Sequence, residues 1–340
     1  MQGRSMKPAS ISLLSAAALL VGAAQSLAAP DVVVSIKPIH SLVASIMKGV
    51  GEPKLIVDGA ASPHTFSLKP SNAAAIESAD MIFWVGPGGI ETFLEKPLDA
   101  LASSATVIEL EDAPGIRKLP FRENGAFEAD DHGHEAEEAH EHGDDEHGDH
   151  DHAAEGHADD DDHHDHGGFD THLWLDPMNA KAMAEEVEKA LVSADPANAA
   201  AYQANGAALM KDLDALDAEL RVTIAPVKHK PFIVFHDAYQ YFEHRYGVSV
   251  AGSITVSPET MPGAERVGQI QSKVKELGAT CVFAEPQFEP KLVAVVTEGT
   301  PARSGTLDPE AATLKPGPGL YFELMRGLAS SMKNCLSQAT

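Results

Sequence analysis

The sequence predicts two α/β lobes with parallel-type sheets, joined by one long rigid helix. Three observations carry that prediction. Short apolar runs rich in Val, Ile and Phe alternate with helical stretches, both before residue 125 and after residue 230. This is the pattern of βα units feeding parallel sheets. The run from Ala197 to Ala225 contains a single glycine, Gly206, and no proline; at 1.5 Å per residue it makes a helix of about 43 Å, longer than one lobe needs for its own packing. The length of 340 residues suits about two domains.

In the first lobe "DVVVSIKP" reads as a buried strand and "IHSLVASIMKGV" as a helix ending at Gly49 and Gly51. "PKLIVDG" is a second strand, "SNAAAIESA" a helix, "DMIFWVGPG" a third strand and "ATVIELED" a fourth. "THLWLDP" reads as an apolar strand stopped by Pro177, followed by a helix from about Met178 to Val192. Asp195 and Pro196 then supply an N-cap and a first-turn proline for the long helix. In the second lobe "KPFIVFHDA" is a strand, "YQYFEHRYG" a helix, "VSVAGSITV" a strand and "GAERVGQIQSKVKELG" a helix. "ATCVFAEPQ", "KLVAVVTEG" and "ARSGTLDPE" continue as strand, helix and strand-to-loop, and "GLYFELMRGLASSMKNCLSQ" closes the chain as a helix. The expected division is an N-terminal lobe over 30–177, helices including the linker over 178–226, and a C-terminal lobe over 227–340. Ligands are expected in the cleft, where strand C-termini face each other.

Residues 1–29 read as an export signal. Arg4 and Lys7 precede the apolar run "ISLLSAAALLVGAA", which is too short to span a bilayer, and "QSLAAP" offers small residues for cleavage near Ala28 or Ala29. No cysteine adjoins that site for lipid attachment, so a soluble, exported monomer is expected. The two cysteines, Cys281 and Cys335, suit one disulfide in such a compartment, with two buried free thiols as the alternative. The bond would close a loop of about 54 residues and contribute about 4 kcal/mol on the loop-entropy model.

The formal charge of −26 is unevenly placed: residues 128–166 hold 18 Asp or Glu, 11 His and no Lys or Arg, so everything else sums to −8. No basic patch exists to hold a phosphate backbone, which excludes nucleic acid as a partner. The segment from about 128 to 168 has almost no apolar side chain to bury and is expected to be disordered.

Three histidines stand apart from that segment. His64 lies in "DGAASPHTFSLKPS", a loop just after a strand; His172 in "FDTHLWLDP"; and His236 in "IVFHDAYQYF", where a strand gives way to a helix. Singly, each is most simply a structural residue. Together, at equivalent strand-end positions, they make a set of imidazoles suited to Zn²⁺, with a fourth position for a carboxylate or water.

The motifs "GAASPHTFSLKPS", "HLWLDP", "VFHDAYQYFE", "CVFAEPQF" and "GTLDP" occur in register from about Val32 to the C-terminus. Together with the acidic His-rich insert and the cysteine pair, they resemble the ZnuA family, the periplasmic zinc receptors of ABC transporters within the cluster A-I metal-binding solute receptors. The resemblance implies high-affinity Zn²⁺ capture in the interdomain cleft, delivery to a membrane permease, and no enzymatic activity. It implies His64, His172 and His236 as zinc ligands. Manganese-binding relatives carry a glutamate where His236 stands, consistent with the preference of Zn²⁺ for a third imidazole; a manganese or iron receptor is the nearest alternative. For the fourth position Asp308 in "GTLDP" is the expected ligand, or water. Glu91 is a weaker match, because "GPGGIE" departs from the family pattern.

Within this reading the insert is an accessory. His132, His134, His140, His142, His147, His150, His152, His157, His163, His164 and His166 form a weak multi-site Zn²⁺ collector, since each event must order a flexible chain. A zinc hydrolase would use the same three imidazoles, but the chain has no H-E-x-x-H. Glu259 and Glu285 lie near strand ends, where a glutamate is expected to pair with a surface cation rather than act as a base.

Overall fold

A computed structural model describes residues 29–122, 168–255, 258, 261–278, 281–288 and 291–338. The export segment before Ala29, the eleven insert histidines and Glu259 lie outside the described residues.

In the first sheet, β1 (Val32–Val34), β2 (Lys54–Leu55), β3 (Met81–Trp84) and β4 (Thr106–Glu109) run parallel in the order β2-β1-β3-β4. In the second, β5 (Pro231–His236), β6 (Ser249–Thr255), β7 (Cys281–Ala284) and β8 (Arg303–Thr306) run parallel in the order β6-β5-β7-β8. The two sheets therefore share one topology. In each, the chain turns outward on opposite sides of the first strand, and that switch point is where an open parallel sheet leaves a crevice at its strand C-termini. The apolar runs explain the strands: β1, β3 and nearly all of β5 are buried, as continuous Val, Ile and Phe stretches between helical layers require.

Helices α1 (Lys37–Ile46), α2 (Pro70–Glu77) and α3 (Thr92–Leu101) belong to the first lobe. Next come α4 (Pro177–Ala194) and α5 (Ala199–Ile224), then α6 (Gln240–Tyr246), α7 (Ala264–Glu276), α8 (Lys291–Thr297) and α9 (Leu320–Ser337). Prolines start α1, α2 and α4, where the missing N–H costs nothing. Asp176 caps α4 by accepting from Met178 N at 2.8 Å. Gly247 ends α6 in the left-handed region at φ 66°, a C-terminal position that favours glycine. Among the described residues no helix is long and apolar enough to cross a membrane.

The structure corrects the sequence reading at three places. "THLWLDP" is a single 3-10 turn, Leu173–Leu175, not a strand; all three residues are fully buried, and an apolar run that short does not distinguish turn from strand by periodicity. Helix α3 was not expected, because Pro97 lies inside it and masks the i, i+4 pair Leu94 and Leu98 that faces the core. Pro196 opens a separate 3-10 turn, Pro196–Asn198, and Asp195 accepts from Asn198 and Tyr202 side chains rather than capping the long helix. Helix α5 itself spans 26 residues, about 39 Å.

The long helix is not a bare strut. It packs on α4 and α1 of the first lobe and on α6 and α9. Helix α9 in turn lies against both α1 and β8. One hydrophobic cluster runs without a break from Val32 through Leu216 to Met332, so the two sheets share a core. A smaller cluster under α7 and α8, built on Ile233, Ile270 and Val296, serves the outer face of the second sheet. Cys281 at the start of β7 is bonded to Cys335 of α9, with Cα atoms 6.2 Å apart.

Candidate metal centre

Three imidazoles meet between the lobes, two at 3-10 turns and one at a strand end. His64 sits in a 3-10 turn, Pro63–Thr65, whose first N–H bonds are met by Ser62: its hydroxyl accepts from His64 N at 3.3 Å. His172 precedes the Leu173–Leu175 turn. His236 is the last residue of β5, and Glu285 directly follows β7, so this pair occupies the switch point of the second sheet. The ring centroids of the three histidines lie 5.3–5.5 Å apart.

The carboxylate that joins them is Glu310. One ligand atom from each of His64, His172, His236 and Glu310 lies within 4.8 Å of all the others. The Nε2 atoms of His172 and His236 stand 3.3 Å apart, and His64 Nε2 lies 3.5 Å from Glu310 Oε1. These two separations are close to the edge of a tetrahedron with bonds of 2.0–2.1 Å, about 3.3–3.4 Å, as zinc with nitrogen and oxygen ligands has, and all four candidate atoms lie within 4.8 Å of one another. The donor set fits Zn²⁺.

Asp308, the carboxylate expected from the sequence, is not part of this group. It accepts from Ala312 N at 2.8 Å, Thr313 N at 3.0 Å and Thr313 Oγ1 at 2.9 Å, closing the turn that projects Glu310. Ala311 inside that turn is left-handed at φ 57°, the only such non-glycine among the described residues, a conformation costing about 1–2 kcal/mol for an L-residue. Glu91 also stays outside the group: it is buried in the first lobe and accepts from Val85 N at 2.6 Å.

Two of the imidazoles are oriented from behind. His172 Nδ1 lies 2.7 Å from Asp170 Oδ1, which also accepts from His172 N at 3.0 Å. His236 Nδ1 lies 2.8 and 2.7 Å from the two oxygens of Glu285. A proton on each Nδ1 donates to its carboxylate and leaves Nε2 with a lone pair for metal, the arrangement that fixes tautomer and ring plane in histidine metal sites. Tyr239 donates to the same Glu285 at 3.2 Å. The sequence reading of Glu285 as a surface group is thereby corrected: it is 2% exposed and bound to a histidine. A carboxylate ending an apolar strand beside the histidine-bearing strand was the available signal. Asp170 gave none beyond its closeness to His172.

Electrostatics follow from burial and mutual charge. Burial, with His236 and His172 adding repulsion, drives the His64 pKa down to about 2, so this imidazole stays neutral. Burial pulls His236 down as well, but the Glu285 charge and hydrogen bond outweigh it and hold the group above its ordinary value. Burial pushes Glu310 up to about 8, against the pull of His236.

A cavity of about 230 Å³ opens over the imidazoles between Gly88–Ile90, Phe121–Arg122 and Asp237. Gly89 lies where a Cβ would strike the Thr171 side chain at 2.4 Å, so glycine lets this loop close on the residue before His172. Phe121 N donates to Gly168 O at 3.4 Å, which brings the two flanks of the His-rich segment together at the cavity mouth.

The family model of zinc-uptake complex component A, periplasmic, matches residues 32–335. The high-affinity zinc uptake system protein ZnuA of Brucella suis biovar 1 is 57% identical over 330 residues, covering 96% of this chain and 98% of that protein. The protein of the same name from Yersinia pestis is 37% identical over 321 residues, covering 94% and 96%. A crystal structure of ZnuA superposes with a TM-score of 0.69 at 26% identity, covering 90% of this chain and 99% of that one. The periplasmic zinc-binding protein TroA from Treponema pallidum shares the fold, with a TM-score of 0.72 at 20% identity and coverage of 90% and 99%. With the matched region running from β1 into the last turn of α9, this chain belongs to the ZnuA family of periplasmic zinc-uptake components.

Proposed function

We propose that the chain is the extracytoplasmic receptor of a zinc importer: it captures Zn²⁺ at high affinity between its lobes and delivers it to the membrane permease of an ABC transporter. The observation that carries this reading is the convergence of His64, His172, His236 and Glu310 within 4.8 Å, all but His64 nearly inaccessible, from four separate segments of the chain. Zinc is the cargo here, held as four-coordinate ion by three neutral imidazoles and one carboxylate. The third imidazole favours it over the harder Mn²⁺ and Fe²⁺, which prefer more oxygen ligands.

The reading extends to the rest of the chain. Residues 1–29 direct export and are removed, leaving a soluble monomer in the periplasm without a lipid anchor. The lobes are residues 30–177 and 227–340, with 178–226 between them. The His-rich segment, whose flanks meet at the cavity mouth, collects zinc weakly and raises its local supply. A calorimetric titration with a competing chelator tests the whole reading. Protein lacking residues 128–166 should keep one tight site and lose several weak ones, whereas His64, His172 and His236 replaced together by Ala should do the reverse. Tight binding that survives the triple replacement would move the receptor site into the insert.

A further inference from the structure

Glu310 comes from the second lobe's chain, yet the turn that carries it is gripped from the first. Lys37, the first residue of α1, is 4% exposed. Its ammonium donates to Ala311 O at 3.0 Å, Ala312 O at 2.9 Å and Leu314 O at 2.9 Å. Those three carbonyls use all three of its protons. On the other side of Glu310, Trp174 Nε1 donates to Pro309 O at 2.9 Å. Asp308 binds the N–H groups of the same turn from within. The turn includes left-handed Ala311, so without these partners its backbone would relax to another conformation.

We propose that Lys37 is a positioning residue for metal capture: by binding the carbonyls of residues 311–314 it holds the Glu310 carboxylate at the three imidazoles. This rests on the reading of Glu310 as the fourth ligand. Glu310 then belongs mechanically to the lobe that carries His64, while His236 rides on the second sheet. A buried ammonium is costly unless fully bonded, and here every bond it makes is to this one turn. Arginine cannot replace it, because a planar fork does not converge on three carbonyls as an ammonium does.

The test measures zinc affinity by chelator competition on the full chain and on Lys37→Met, Glu310→Gln and the double variant. Glu310→Gln should weaken zinc. Lys37→Met should weaken it about tenfold or more, the usual range for a group that orients a ligand, and the double variant should be no weaker than Glu310→Gln alone. The Co²⁺-loaded absorption spectrum of Lys37→Met should match that of Glu310→Gln, a change that a purely structural role would not produce. Full affinity in a folded Lys37→Met, or the same loss with and without Glu310, overturns the positioning role. Unchanged affinity in Glu310→Gln overturns the ligand reading itself, and the two failures are separable. If near-ultraviolet circular dichroism shows Lys37→Met unfolded, Lys37→Arg carries the same comparison; it keeps the charge and should lose affinity only when Glu310 is present.

Discussion

Glu285 holds His236 through both of its oxygens, at 2.8 and 2.7 Å from Nδ1, across the switch point of the second sheet. The bond makes His236 a better metal ligand by fixing its tautomer and raising its basicity. Glu285→Gln is expected to keep the fold and weaken zinc by about 10–100-fold, read by competition with a chelator. Undiminished affinity would show that the ring is held by packing alone.

His236 is also expected to set metal preference. His236→Glu replaces an imidazole with a harder oxygen donor, so zinc should weaken and Mn²⁺ should gain relative to it. Parallel titrations with the two metals check this, and an unchanged ratio would remove His236 from the ligand set.

Acid should release the metal. Burial lowers His236 but Glu285 raises it further, so its folded pKa lies above the ordinary 6.5, and a proton occupies the ring that zinc must displace. As pH falls through and below that value the proton competes more strongly, and affinity drops by up to about tenfold per pH unit for each proton displaced. His64, held near 2, stays neutral and adds nothing to this slope, whereas Glu310, pushed up to about 8 by burial, adds a second proton for zinc to displace. Affinity measured between about pH 7.5 and 5.5, a window that brackets the ordinary histidine value, should fall steadily; a flat profile would contradict an imidazole-dominated site.

The lobes should move little on binding. Helix α5 packs against both lobes, α9 lies on α1 and β8 together, and one hydrophobic cluster serves both sheets. Opening the cleft widely would expose that cluster, at about 25 cal/mol for each Å² of apolar surface. Small-angle scattering of the metal-free and zinc-loaded protein lacking the insert should give nearly superimposable curves, and a large change in radius of gyration would refute the expectation.

The central strands β1, β3, β5 and β7 were legible because they are continuous apolar runs, and the long helix because only Gly206 interrupts it. His64, His172 and His236 were legible as candidate ligands, although only His236 ends a strand as expected; His64 lies in a 3-10 turn and His172 opens another. The fourth ligand was not. "LDPEAA" offers Asp308 and Glu310 two residues apart, and which of them faces the cleft is decided by the left-handed backbone at Ala311. Glycine or asparagine would have signalled that conformation; alanine does not. Lys37 was invisible for another reason: its partners lie 274 to 277 residues away, and no local pattern reports a contact of that range.

That range has a consequence for the order in which the protein is made. Ser41 of α1 donates to Pro318 O at 3.0 Å and accepts from Tyr321 N at 3.0 Å, so the first helix is completed by the last one. The first lobe buries α1 partly against α4 and α5, but the share covered by α9 waits until residues 311–337 have been synthesised. Contacts of such long separation close late and slowly, and until then the part of α1 that α9 covers stays available to other chains. Packing of the first lobe is therefore completed only when translation ends, and a chain shortened by its final helix should be held by chaperones or aggregate rather than reach the native fold.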